Sequence, residues 1–481
     1  MVTSPGEVAL AAPHPAAVEA GRAVVAAGGN AIDAALAAAA ALTVVYPHQC
    51  SVGGDLIAVV RPPGGAPRAV LSAGAAAAAI DLGGATSMPT GGPLTVTVPG
   101  VVAGWAAVAG LGARLGWTDW LGPAVTLARA GAPVSPGLAR AIRDGRAVIE
   151  ADPGLSAVLG AVREGQTLVQ PALAATLAAL AADWRAFYTD GWLVPGLRRL
   201  GSPLSTADFA AHRAEVVAPL TASAHGAEWS AAPPPSQGAT FLAIVGSGRL
   251  LADARRAQLA RDALLGDPRS GPVDLPGLLL REDRAITPSA AGPPPTGDTV
   301  AVTAVGSDGT AVSLIQSVFQ SFGAGLLEPE TGIVLHNRGA MFRVDPAHPA
   351  HLTPGSRPPH TLCPAVAVAD DAVLALGCQG GRSQPWILAQ VAGDALHGSD
   401  PAAVVGRPRW IIESGEHPTL LLEPDVPGAA ELAATARSLG LPVATTADRH
   451  DGAGHVQLAR LRGTTLDAAS DPRADGIAAV F

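Results

Sequence analysis

The feature that most limits how this chain can fold is an abrupt change of pattern at Thr299. Helical periodicity fills much of 105–217, whereas beyond Thr299 the chain turns to strands. Stretches 300–305 and 311–317, joined across Ser307-Asp308-Gly309, read as a β-hairpin. Immediately before it, Pro293-Pro294-Pro295-Thr296-Gly297-Asp298 reads as an exposed turn, the end of a connector over 267–298 rich in proline, glycine and charge. A cut before Thr299 would place a hydroxyl and a free α-amine on one residue, a nucleophile with its own base. Taken alone, these residues favour the plainer reading of Thr299 as a β-branched strand residue.

Toward the N-terminus, His14-Pro15 opens a short helix that stops at Gly28-Gly29, and Asn30 caps a second one. That second helix is almost all alanine and leucine, so it should be buried by close packing of small faces. In the glycine-bearing loop that follows, His48 and Asp55 are polar candidates, although such groups are more commonly satisfied locally. Strands are expected at 56–61 and 95–98, the latter ending at Pro99-Gly100, and again at 333–335, 364–368 and 372–376. Helices are expected at 386–396, 401–405 and 429–439, and no fixed-period repeat is present.

The formal charge is −9 with no long basic run, so neither nucleic acid nor an anionic membrane is an expected partner. All 31 basic residues are arginine, which excludes Schiff-base chemistry on lysine. Cys50, Cys363 and Cys378 form no CxxC pair, which argues against a disulfide framework and a structural zinc site. No His/Asp/Glu/Cys group has metal-ligand spacing, and no metal or cofactor is expected. The N-terminus lacks a signal-peptide pattern and the apolar run 34–46 is too short to span a bilayer, so the expectation is a soluble cytoplasmic protein.

Fragments in a fixed order along nearly the whole chain carry a family likeness. They include Gly28-Gly29-Asn30-Ala31-Ile32-Asp33, Gly53-Gly54, Val98-Pro99-Gly100, Phe187-Tyr188, Pro233-Pro234-Pro235-Ser236, Asp298-Thr299, Ser321-Phe322-Gly323-Ala324-Gly325, Arg357-Pro358, Gly380-Gly381 and Ser470-Asp471-Pro472-Arg473. Together they resemble the γ-glutamyltransferase-like N-terminal-nucleophile (Ntn) hydrolases. The resemblance implies an α+β fold, a four-layer αββα sandwich with two stacked, mainly antiparallel sheets. Both halves would build it as one domain, in keeping with neither half having a complete set of strands. It also implies an inactive precursor that cuts itself between Asp298 and Thr299 into a large segment 1–298 and a small segment 299–481, which stay partners and leave room for a higher homo-oligomer. In such an enzyme Thr299 attacks the substrate carbonyl, the N–H groups of Gly380 and Gly381 bind the oxyanion, and Ser317 replaces a second family threonine beside the nucleophile.

The substrate positions depart from the transferases. Ser72-Ala73-Gly74-Ala75-Ala76-Ala77 has no arginine or glutamate where those enzymes hold an α-carboxylate, Phe319 replaces an asparagine, and His360-Thr361 replaces a serine pair. The pattern Asn337-Arg338-Gly339 with Arg357-Pro358-Pro359-His360-Thr361 is more similar to a divergent branch containing oxamate amidohydrolase-type enzymes and biosynthetic carbon–carbon hydrolases that release an oxalyl group. Arg338 is therefore the first candidate for a carboxylate anchor, with Arg382 second and Asn337, His360, Thr361 and Phe319 around them. The leading expectation is an autoprocessing amidohydrolase or acylase acting on a small molecule that carries a carboxylate. The alternatives are a carbon–carbon hydrolase of secondary metabolism, such as antibiotic assembly, and a processing-dead binding or scaffold homologue.

Overall fold

Strands with apolar side chains on both faces need a covering layer on each side, and the two large sheets meet that need. The computed structural model describes residues 7–282, 297–413 and 417–481, so the expected turn at 293–296 lies outside the described residues. The strands are β1 (Val8–Ala12), β2 (Asp55–Arg61), β3 (Arg68–Ser72), β4 (Glu215–Val217), β5 (Leu220–Ala224), β6 (Ala227–Ala231), β7 (Gly297–Gly306), β8 (Ala311–Gln320), β9 (Ala365–Val368), β10 (Ala372–Cys378), β11 (Val456–Arg462), β12 (Thr465–Ser470) and β13 (Ile477–Val480). One sheet runs β13-β1-β7-β8-β2-β3-β4 and the other β12-β11-β10-β9-β6-β5. Every pairing in both is antiparallel.

Side-chain alternation sorts each strand between two cores. On β2, Leu56, Ala58 and Val60 face the helices, while Ile57 and Val59 face the other sheet. On β7, Val300, Val302 and Ala304 take the helix side, and Ala301 and Val305 the inter-sheet side. Helices α1 (Pro15–Ala26), α2 (Ala31–Val45) and α3 (Val101–Ala109) cover the first sheet, with α4 (Trp117–Ala130) packed on α2, and α6 (Gln384–His397) covers the second, with α5 (Leu250–Leu264) packed on α6. The result is the expected αββα sandwich. Each sheet mixes strands from before and after Thr299, so neither half of the chain could close its core alone.

Helix α2 is buried along its whole length, as its composition required. Asn30 accepts from the Ile32 and Asp33 N–H groups, and the Asp33 carboxylate returns a bond to the Asn30 N–H at 2.9 Å. Its alanine face lets β8 come close enough for Gln316 Nε2 to donate to the Ala39 carbonyl at 2.7 Å. That contact ties the strand carrying Ser317 to the middle of the helix layer.

Several local expectations change. The strand expected at 95–98 is a short 3-10 turn (Pro93–Thr95) followed by extended chain outside the sheets. A Cβ on Gly74 would sit 1.5 Å from the Val98 carbonyl oxygen, so the 74–76 loop occupies the edge where a ladder partner would lie. The strand expected at 333–335 shortens to Ile333–Val334, paired with Leu327–Glu328. The connector is exposed over 268–272, as expected, but its first residue is not. Asp267 is buried, accepting from Arg357 N at 3.0 Å and from Arg357 Nη2 at 2.8 Å.

Candidate active site

Thr299 lies inside β7, and the chain runs through Asp298 and Thr299 as continuous strand. Opposite it, the β7–β8 register slips: Gln316 faces Val300 and Phe319 faces Asp298, so β8 carries one residue more than β7. Phe319 absorbs the bulge with φ of 80°, a left-handed conformation that is uncommon for a bulky residue. The bulge aims the Ser317 hydroxyl back at the strand. Thr299 Oγ1 donates to Ser317 Oγ at 3.1 Å, and Ser317 Oγ donates to the Asp298 carbonyl oxygen at 2.7 Å. The Phe319 N–H donates to the same Ser317 oxygen at 2.8 Å.

The Asp298 side chain sits beside Ser321, Gln379, Asp451 and His455, and burial pushes its carboxyl up to about 7. Asp451 adds to that rise, whereas Ser321, His455 and Gln379 oppose it. His455 itself is paired with Asp451 at 2.9 Å.

Gly380 and Gly381 follow β10, in a turn that packs against β7. Their φ values of 140° and 52° favour residues without a side chain, and a Cβ on Gly380 would meet Ile387 Cδ1 at 2.5 Å. Among the described residues neither N–H has an acceptor, which leaves both available as donors.

The candidate substrate residues gather on the β2 side of Ser317, where Asp55 opens β2 directly across from it. Asp55 Oδ1 accepts from the Gly74 N–H at 3.0 Å, and Oδ2 lies 3.1 Å from His360 Nε2 and 3.4 Å from His336 Nδ1. Burial works against the Asp55 charge, but His336 and His360 outweigh it and hold the carboxyl below its usual range. The His360 ring is pushed down to about 4, by burial first and by Arg338 second, so it is neutral at pH 7. His336 Nε2 lies 3.1 Å from Thr97 Oγ1, which anchors that ring to the extended 96–100 segment.

Arg338 is the least ordinary member of the group. It is fully buried, its guanidinium lies 4.2 Å from the centre of the Phe319 ring, and Nη1 donates to Thr361 Oγ1 at 3.0 Å. Nε and Nη2 have no partner among the described residues, and no carboxylate pairs with the group. Burial pushes it down to about 9, with Asp55 partly offsetting the fall.

The other two candidates have different surroundings. Asn337 spends its amide on the chain itself, donating to the Thr90 carbonyl at 2.8 Å and to Gln320 Oε1 at 2.5 Å, and accepting from Gln320 N at 3.1 Å. Arg382 pairs with Asp262 on α5 and faces a separate pocket. From sequence Asp55 is only one of two polar candidates in its loop, and nothing local to His336, Gln379 or Ser321 marks them. The hint available was Gly53-Gly54 ahead of Asp55, which permits the close backbone approach found there.

Comparison with known proteins places the chain in a family. The gamma-glutamyltranspeptidase family profile matches residues 17–481. The oxamate amidohydrolase proenzyme of Klebsiella pneumoniae subsp. pneumoniae is 37% identical, over 98% of each chain. The glutathione hydrolase-like YwrD proenzyme of Bacillus subtilis is 32% identical, over 84% of each. Among solved structures, the cephalosporin acylase from Bacillus halodurans superposes with a TM-score of 0.85 at 28% identity, covering 100% of this chain and 96% of that one. The chain therefore belongs to the gamma-glutamyltranspeptidase family and is an enzyme of the Ntn-hydrolase type.

Proposed function

We propose that the chain is a precursor that cleaves itself between Asp298 and Thr299, and that the matured enzyme hydrolyses a small amide or acyl compound bearing a carboxylate. The observation that carries this reading is the contact of one hydroxyl, that of Ser317, with both the attacking oxygen and the carbonyl under attack. Thr299 Oγ1 adds to the Asp298 carbonyl carbon; its proton passes to Ser317 Oγ as the Ser317 proton moves to the carbonyl oxygen. The C–N bond then breaks, nitrogen takes a proton, and an ester joins the two segments. Water hydrolyses that ester, leaving segments 1–298 and 299–481 and freeing the Thr299 α-amine. In turnover this amine takes the proton from Thr299 Oγ1, and Gly380 and Gly381 donate to the substrate oxyanion, each such donor being worth roughly 3 kcal/mol. The unpaired Arg338 supports a carboxylate on the substrate, and the relative named as an oxamate amidohydrolase makes oxamate-like amides the first compounds to try.

Purified wild type is expected to resolve on a denaturing gel into two chains, the smaller beginning Thr-Val-Ala-Val; one intact chain after long incubation would sink the proposal. Mass analysis of products from oxamate, γ-glutamyl anilide and 2-keto diacids then identifies the bond that is broken. Oxalyl release by carbon–carbon cleavage would replace the amide reading.

Ser317→Ala is expected to slow self-cleavage by about 100-fold, the usual size of effect for losing one oxyanion donor, whereas Ser317→Thr keeps the hydroxyl and the rate. A gel time course separates these, and an unchanged rate in the alanine variant removes Ser317 from the mechanism.

The buried Asp298 carboxyl makes precursor stability depend on pH. Its folded pKa of about 7 lies above the unfolded one, so its contribution is full below the unfolded value and is lost as pH rises through 7. In an uncleavable Thr299→Ala precursor, Tm is expected to fall between pH 5 and 8, and adding Asp298→Asn should flatten the fall by about 3 °C or more. An equal fall in both proteins would assign the pH dependence to other groups.

A further inference from the structure

Thr361, whose hydroxyl accepts from Arg338, and its neighbour His360 also form part of the wall of a second, narrow pocket, to which Arg338 itself does not contribute. The pocket receives Arg261 and Asp262 from α5, Arg343 from the segment after the Asn337 turn, and Arg382 from the turn after Gly381. Three guanidinium groups thus face one carboxylate. Asp262 is already committed, pairing with Arg261 Nε at 3.0 Å and with Arg382 Nη2. His348, on the same wall, is pushed down by burial and adds no further positive charge.

What remains is unspent donor capacity. Arg382 is buried, yet its Nε and Nη1 have no partner among the described residues, and neither has Arg261 Nη2. The Arg343 guanidinium makes no hydrogen bond or ion pair with any described residue, although its backbone is held to Ala350 and Leu352. A fold gains nothing from several buried cations beside a single anion unless something else neutralises them. Planar guanidinium forks match a carboxylate, the narrow pocket admits one such head group, and Leu265, Met341 and Pro359 supply apolar edges for the carbon that carries it.

We propose that this pocket binds a second carboxylate, on the part of the substrate remote from the scissile carbonyl, so that the substrate is a small N-acyl dicarboxylate held by Arg338 at one end and by Arg343 and Arg382 at the other. The inference rests on the hydrolase reading of the Thr299 site, but the test reads binding and not turnover. The probes are the linear dicarboxylates from malonate to adipate and the monocarboxylates of equal length, titrated calorimetrically into matured protein at constant ionic strength.

The best-fitting dicarboxylate is expected to bind at least 10-fold tighter than its monocarboxylate counterpart. Arg343→Ala should erase that difference while keeping the wild-type Tm, since the Arg343 side chain holds nothing in the fold, and Arg343→Lys should restore part of it. Dicarboxylates that bind no tighter than monocarboxylates, or an advantage untouched by Arg343→Ala, would overturn the assignment. A protein that binds dicarboxylates through Arg343 and cleaves no amide would keep the pocket and discard the hydrolytic reading; one that cleaves amides without the dicarboxylate advantage would do the reverse.

Discussion

Replacing Thr299 with alanine is expected to leave a single full-length chain through days of incubation and to lower hydrolase activity by at least about 10⁴-fold, the scale seen when a covalent nucleophile is removed. In the proposed cycle both losses have one cause, since the same oxygen opens the peptide bond before it and later attacks the substrate. Among the described residues, the nearby hydroxyl and the thiols are not suited to substitute. The Ser317 hydroxyl already donates to the Asp298 carbonyl oxygen and accepts from the Phe319 N–H, so it is oriented to polarise that carbonyl rather than add to it. The thiols are buried: Cys50 is pushed up to about 12 by desolvation, and Cys363 and Cys378 are also raised, so thiolate is scarce at neutral pH. Thr299→Ser keeps the oxygen and should still cleave. The measurement is a denaturing gel with N-terminal sequencing of any fragment, followed by an activity assay on the best substrate. An alanine variant that still splits between positions 298 and 299 would transfer the nucleophile to another residue and remove the basis for the proposed cycle.

How much of this was legible in the sequence depended on whether the signal was local. The β7–β8 hairpin is local: two apolar-rich runs, 300–305 and 311–317, on either side of Ser307-Asp308-Gly309 specify the turn and the pairing, and both are present. Helix 401–405 and the Asn30 cap are also local, and both stand where their residues put them. Strand β1 could not be read, because Val8–Ala12 is mostly alanine and has no β-branched pattern. It exists because β7 and β13, nearly 300 and 470 residues away in sequence, pair with its two edges. The bulge at Ser317 follows from a register slip that no residue type announces. The Asp55–His336–His360 group escaped for a related reason: its members come from three distant segments, and only the sheet register and the loop crossing at Gly74 bring them to one point. The candidate roles of Thr299, Ser317 and the glycine pair rest on the family resemblance, whereas the unpartnered edge of Arg338 is a property of the packed interior.

That unpartnered edge separates a functional arginine from a structural one. Arg338→Met, which keeps most of the side-chain volume and removes the charge, is expected to lower kcat/KM on a carboxylate-bearing substrate by roughly 100-fold, corresponding to about 3 kcal/mol for a lost charge-assisted pair. The same variant should be as stable as wild type or more so. In the free protein the guanidinium is desolvated, has one bond to Thr361 Oγ1 and a stacking contact with Phe319, and lacks a paired anion, so burial costs it more than its neighbours return. An arginine that served the fold would behave in the opposite way, since Asp267 shows what such a site looks like here, with Arg357 bonded to it through Nε, Nη2 and its backbone N–H. Arg357→Met should therefore lower Tm, while Arg338→Met holds or raises it. Measuring Tm and kcat/KM on both variants decides the matter. Retained activity in Arg338→Met would remove the carboxylate anchor, and a loss of stability that accounts for its lost activity would make Arg338 a structural residue. The expected pairing of unchanged or higher stability with lost turnover follows only if the substrate supplies the anion the interior lacks.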